Sequence, residues 1–393
     1  MAAWASLVAT VGQVVVAAGT VRPRELGRGG TRVCGPSRVR STCHAGAVDD
    51  TVVGFDVPKI VAWLSSVTDL SLPVSWERMP GGHSNLTYLL RDATGRELVI
   101  RRPPLGELLP KAHDMWREYR IIEGLSPTAV PVAAPIAYCD DRAISESHFY
   151  VMGRVAGESL HSGHDAARFL DEPARRRAGE SFIDVLAALH SIEPDDVGLG
   201  DLGRREGYVA RQLNTWYRSW MASIDDAGLD DPRVHELHAL LSSRIPAQGP
   251  ARVVHGDYGP HNCLFAANGE LTAVLDWEIA TLGDPLADFA YSINAWVEPG
   301  DSLADGADPP TVLAGFPSRD EMIARYAQAT GADLSQLAFY RAFNSLKTAL
   351  IIQGVYARYR AGKKSTEGVD LATLFARIDL SLSAAASMAA ELD

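Results

Sequence analysis

His255, Asp257, His261 and Asn262 fall within one short polar run, and Asp276 and Glu278 follow closely. The stretch Val253 to Phe265 opens with β-favouring residues, breaks at Gly256, turns through Gly259-Pro260 and resumes as Cys-Leu-Phe. That pattern predicts a strand, a tight loop and a second strand. A further apolar run, Leu271 to Leu275, ends at Asp276-Trp277-Glu278. The spacing is therefore H-x-D-x-x-x-x-N followed by L-D-W-E. Phosphoryl transfer asks a protein for positioning and charge rather than covalent chemistry. It needs one carboxylate to take or orient a hydroxyl proton, and Asp257 is the candidate. It also needs hard oxygen ligands for a divalent cation, and Asn262 and Asp276 are the candidates for holding Mg²⁺. His255 reads as an imidazole bracing the loop. Taken singly, these residues also read as turn formers and a strand-end cap; their combination favours chemistry.

Elements must bring these residues together. Asp56 to Val67 has helical apolar spacing, with Pro58 near its start. Val74–Met79, Asn85–Leu90 and Glu97–Arg101 read as strands, His113–Leu125 as a helix, Pro131–Cys139 as extended and Phe149–Met152 as a strand. Gly81-Gly82-His83-Ser84-Asn85 joins the first two strands. Its glycines let a backbone approach a phosphate, and Ser84 and Asn85 add donors, although a plain turn would look the same. Arg101 ends the third strand and Glu118 lies in the next helix, a pair able to orient a cation on phosphates. Arg102 points the other way on a strand. Gly153–Gly157 reads as a connection.

After that connection helices dominate: Arg175–His190, Tyr208–Ala222, Pro232–Leu241, Leu286–Trp296, Arg319–Thr330, Leu334–Arg360 and Val369–Ala389. Val297–Pro317 reads as a long surface loop. Asp284 precedes Pro285 as a helix cap, and Asp288 is placed to accept backbone donors from the polar loop. The expectation is an α+β chain: a small antiparallel β lobe with one crossing helix over 49–153, and a mainly helical lobe over 154–393. No internal repeat is evident.

The chain has 393 residues, 47% apolar and 22% charged, a composition for soluble globular lobes with real cores. Its net charge of −12 argues against a nucleic-acid partner. The four cysteines form no C-x-x-C pair, which disfavours zinc and dithiol redox sites and favours a reducing compartment such as the cytoplasm. Residues 1–48 are Ala/Val-rich and then Arg-rich, with six arginines and one acidic residue. They read as a disordered or leader segment, with organelle targeting or an anchor as alternatives; no stable membrane association is expected.

The chain resembles the aminoglycoside phosphotransferase and choline kinase superfamily, which has the protein-kinase-like fold, from about Thr51 onward. It is most similar to the kinase-like domain of the acyl-CoA dehydrogenase family members ten and eleven. That likeness is carried by Gly81 to Tyr88, Leu98 to Pro104, Leu109 to His113, Arg117-Glu118-Tyr119, Phe149 to Met152 and Gln353 to Tyr359. The resemblance implies a bilobal fold, ATP and Mg²⁺ as co-reactants, and Asp257 as catalytic. It implies Asn262 and Asp276 as metal ligands, Arg101 as a phosphate contact paired with Glu118, and adenine near Met152 to Val155. The implied acceptor is a small-molecule hydroxyl, plausibly on a hydroxyacyl-CoA. The polyanionic CoA would call for cations such as Lys347, Arg358, Arg360, Lys363 and Lys364. Two other readings stay open. One is an antibiotic O-phosphotransferase using Asp301, Asp305 and Asp308 as an acidic cleft; the other is a nucleotide-binding scaffold without turnover.

Overall fold

The computed structural model describes residues 52–79, 85–106, 113–366 and 368–392. Most described helices begin on an Asp or Ser whose side chain accepts a backbone N–H from the first turn, a cap worth roughly 1 kcal/mol each. Asp56 caps helix α1 (Val57–Val67), and Asp114 caps α2 (Met115–Leu125).

Strands β1 (Ser75–Arg78), β2 (Leu86–Arg91), β3 (Glu97–Arg102), β4 (Pro135–Cys139) and β5 (Phe149–Gly153) form one antiparallel sheet in the order β1-β2-β3-β5-β4. Its α1 face buries Ile60 and Leu64 against Leu90, Leu98, Ile100, Phe149 and Val151. Each such side chain contributes roughly 1.5–3 kcal/mol when fully buried. Alternation along β3 sends neighbouring arginines to opposite faces, as expected. Arg102 lies over the Phe55 ring at 5.3 Å and donates to Ser147, while Arg101 turns toward the helical lobe.

The larger lobe contains α3 (Gly163–Phe169), α4 (Glu172–Ser191), α5 (Tyr208–Ala227), α6 (Pro232–Ser243), α7 (Pro285–Ala295), α8 (Arg319–Thr330), α9 (Leu337–Arg360) and α10 (Leu371–Ala389). The crossing helix α2 packs into this lobe's core. Met115, Tyr119, Ile122 and Leu125 join Phe182, Leu186, Val253, Trp277 and Leu282 in one cluster. Arg117 donates from Nε to the Ala280 carbonyl at 3.1 Å. A second cluster is built by α5, α6, α7, α9 and α10 around Trp220, Phe343 and Leu350. By length and composition α10 is apolar enough to cross a membrane, but its Leu374, Ile378 and Leu382 are buried in this cluster.

The polar loop departs from a simple strand–loop–strand unit. β6 (Arg252–Val254) pairs with β9 (Thr281–Gly283), and β7 (Cys263–Phe265) pairs with β8 (Leu271–Val274), so the two flanking strands belong to different ribbons. The loop 255–262, with its 3₁₀ turn Pro260–Asn262, bridges them. The lobes join through Gly153 to Gly157, after which Glu158 and Phe265 exchange backbone hydrogen bonds at 3.0 Å each. Gly157 has φ +146°, and a Cβ there would meet the Phe265 carbonyl at 2.8 Å, which reserves the position for glycine. The 297–317 segment is a loop as expected, closed at its ends by Thr311, whose hydroxyl bonds both the N–H and the carbonyl of Val297.

Candidate active site between the lobes

Gly256 has φ +86°, and a Cβ would sit 3.0 Å from Ile279. The chain can therefore reverse there and deliver Asp257 inward. Asp288, on the first turn of α7, holds the reversal. Its carboxylate accepts the His255 N–H at 2.7 Å and the Gly256 N–H at 2.8 Å, and His190 Nε2 at 3.2 Å. Burial raises the Asp288 carboxyl, but the His190 bond, the electrostatic pull of the neighbouring imidazoles and the Gly256 N–H outweigh it and bring it below the usual carboxylate range. His255 braces the loop as expected: Nε2 donates to the Leu275 carbonyl at 2.8 Å, and Nδ1 accepts the Asp257 N–H at 3.3 Å.

Asp257 is 2% exposed. Its Oδ2 accepts Nδ2 of Asn262 at 3.1 Å, its Oδ1 accepts the Tyr291 hydroxyl, and His261 Nε2 lies 3.6 Å from Oδ1. Burial raises this carboxyl too, but His261, Tyr291 and His255 together hold it below its ordinary value. The outcome is a buried carboxylate kept ionised.

Asn262 also donates Nδ2 to the Asp257 carbonyl at 3.0 Å, and its own carbonyl accepts the Leu275 N–H at 2.8 Å. Asp276 is the next residue, so one backbone bond and one peptide connect the loop to the downstream carboxylate. Asp276 has φ +62°, a left-handed conformation uncommon outside glycine and tolerated by Asp. Its Oδ1 meets Arg101 Nη2 at 2.8 Å, and Arg101 Nε meets Glu118 Oε2 at 2.9 Å. The Arg101 and Glu118 side chains are 16% and 2% exposed, so the pair is no surface salt bridge. Burial opposes the Arg101 charge, while Glu118, Asp276 and Glu278 sustain it, with a net upward shift. Burial raises Glu118, against Arg101; Tyr150 donates its hydroxyl to Glu118 at 3.0 Å.

Asn85 departs from the expected place among phosphate donors. It is 3% exposed, and its Nδ2 donates to Glu278 at 3.3 Å and to Glu118 at 3.5 Å. Its short amide satisfies two carboxylates that would otherwise be buried with less compensation. Gly81, Gly82 and Ser84 lie outside the described residues. Met152, in β5, is half-buried against the larger lobe's core, and Val155 is half-buried in the connection, both between the lobes. Sequence reasoning gave Glu278, Tyr150 and Tyr291 no role. Glu278 was visible within L-D-W-E, and Tyr291 had one available signal: it lies one helical turn beyond Asp288 on the same face of α7.

Of the carboxylates weighed for an acidic cleft in the alternative reading, two have partners. Asp301 pairs with Arg319, and Asp308 accepts the His164 N–H at 3.0 Å at the start of α3. The basic run after α9 is partly committed as well: Arg360 donates to the Asp226 carbonyl and Lys363 pairs with the Asp226 carboxylate.

A model of the phosphotransferase enzyme family (APH) matches residues 75–340. Acyl-CoA dehydrogenase family member 11 of Gallus gallus is 36% identical over 301 residues, 75% of this chain and 38% of that protein. Member 10 of Mus musculus is 34% identical over 299 residues, 75% of this chain and 27% of its own. The chain thus spans well under half the length of these relatives. Among solved structures, a putative aminoglycoside phosphotransferase from Ralstonia eutropha superposes with TM-score 0.72 at 29% identity, covering 85% of this chain and 99% of that one. A kinase-like sheet lobe, a helical lobe and the paired motifs between them agree with this match, and the chain belongs to the phosphotransferase enzyme family.

Proposed function

We propose that this protein transfers the γ-phosphoryl group of ATP to a hydroxyl of a small molecule, and that the acceptor is a hydroxyacyl-CoA. The observation that carries the reading is the buried Asp257 side chain, bonded to Asn262 and linked through Leu275 to Asp276 and its Arg101–Glu118 partners. Asp257 accepts or orients the acceptor's hydroxyl proton, which makes the oxygen a better nucleophile toward phosphorus. Asn262 commits Nδ2 to Asp257 and so offers a cation its Oδ1; Asp276 offers a carboxylate oxygen. Two hard oxygens of this kind suit Mg²⁺, which prefers few protein ligands and completes its shell with phosphate and water. When bound, the ion would neutralise charge on the phosphate oxygens. Arg101, oriented by Glu118, contacts the phosphates as a fork. Adenine sits near Met152 and Val155.

The acyl-CoA assignment draws on the names of the two relatives and on Lys347, whose ammonium lies over the ring of Tyr291, the residue whose hydroxyl donates to Asp257. An aminoglycoside acceptor would need carboxylates where Asp301 and Asp308 instead hold Arg319 and α3. The test is a panel of hydroxyacyl-CoA esters and aminoglycosides with γ-labelled ATP, each product identified by mass. Phosphorylated hydroxyacyl-CoA supports the reading. Transfer to aminoglycosides alone, or ATP binding without transfer to any acceptor, overturns it.

A further inference from the structure

Lys347 stands in the middle of α9, where Phe343, Leu346, Ala349 and Leu350 pack in an apolar core. It is 8% exposed, and a buried ammonium is costly unless something compensates it. Among the described residues it makes no hydrogen bond or ion pair. Its Nζ lies 5.7 Å from the centre of the Tyr291 ring, a cation–π contact. Burial lowers its ammonium from the ordinary lysine value, against the Asp288 and Asp257 carboxylates that act on it through space. The same Tyr291 gives its hydroxyl to Asp257, and Arg377 of α10 acts on that phenol. A buried ammonium, undersupplied with acceptors, therefore lies one ring away from Asp257, the carboxylate that an acceptor hydroxyl must approach.

We propose that Lys347 is a specificity residue of the acceptor site: it donates to a carbonyl or carboxylate oxygen of the acceptor, a few bonds from the reacting hydroxyl, and it repels acceptors carrying an ammonium there. This rests on the phosphotransferase reading above and adds to it the chemistry that selects the acceptor. The cation–π contact holds the ammonium without using its hydrogen bonds, so all three donors stay available to an incoming oxygen. Two kinds of acceptor share that chemistry, a hydroxyacyl thioester and a free hydroxy acid. A polyamine sugar would bring like charges together in a site of low dielectric, where repulsion is poorly screened.

The test compares wild type with Lys347→Met, which keeps length and apolar bulk. The acceptors are a hydroxyacyl-CoA, the corresponding free hydroxy acid, and kanamycin. The variant is expected to raise the acceptor KM by about 10-fold or more, the range for losing one charge-assisted hydrogen bond. The KM for ATP and the thermal midpoint should stay close to wild type, a pattern that a purely structural lysine would not give. Whichever oxygen-bearing acceptor shows the larger KM effect identifies the group Lys347 receives. Acceptor KM values within threefold of wild type, or kanamycin preferred by the wild type, overturn the proposal. Binding of a non-reactive acyl-CoA in the presence of a non-hydrolysable ATP analogue separates the two levels. Lys347-dependent binding without transfer removes the reaction and leaves the specificity; transfer without Lys347 dependence removes the specificity and leaves the reaction.

Discussion

Arg101 and Asp276 meet at 2.8 Å across the two lobes, Nη2 to Oδ1. The same guanidinium holds Glu118 of α2 at 2.9 Å, so one β3 side chain ties the crossing helix to Asp276, two residues beyond β8. Removing one partner of a buried ion pair leaves the other charge uncompensated. Arg101→Met should therefore lower stability by about 3 kcal/mol, and adding Glu118→Gln should restore a substantial part of it. Urea unfolding with an unchanged slope measures both. A loss below about 1 kcal/mol would place the pair in the class of solvent-screened bridges.

Asp288 couples the polar loop to pH. Its carboxyl lies below the ordinary carboxylate value in the folded protein, so its stabilisation is present above the unfolded value and is lost as pH falls through the folded one. Asp288→Asn cannot accept both the His255 and Gly256 N–H groups in the same way. The stability gap between wild type and Asp288→Asn should be constant above about pH 5 and narrow as pH drops further. A gap that widens toward acid would reverse the sign of the assignment.

Tyr291 adjusts the readiness of Asp257. Its hydroxyl donates to the ionised carboxylate and helps to keep that group low. Tyr291→Phe removes the donor, so the Asp257 carboxyl rises and the acid limb of the pH–rate profile moves to higher pH. Turnover at neutral pH should fall by about 10-fold, one hydrogen bond to a charged group. An acid limb that stays in place would separate Tyr291 from Asp257.

The chemistry was legible wherever it was local in sequence. Asp257 and Asn262 share one loop, and a Gly-Pro turn between them predicts that they face each other, as their 3.1 Å bond shows. Capping residues made several helix starts readable: Ser318 precedes α8 and closes a capping box with Glu321. What was not legible depends on contacts between distant elements. β9 is three residues, Thr281–Gly283, with too little alternation to declare a strand; its pairing with β6 comes from packing. Asn85 follows Gly81-Gly82 in the sequence and reads as a ligand donor until the buried Glu118 and Glu278 are brought beside it. Lys347 sits mid-helix in α9, and only the approach of α7 shows that it faces Tyr291.

The most direct test of the account is single-turnover transfer from γ-labelled ATP by Asp257→Asn, with nucleotide affinity measured on the same sample. The account predicts transfer slower by about 10³-fold, within the range for removing a positioned base, at an ATP affinity within about threefold of wild type. An Asp257→Asn protein that keeps more than about a tenth of wild-type transfer would contradict it, because the buried carboxylate would then not be the group that meets the acceptor hydroxyl.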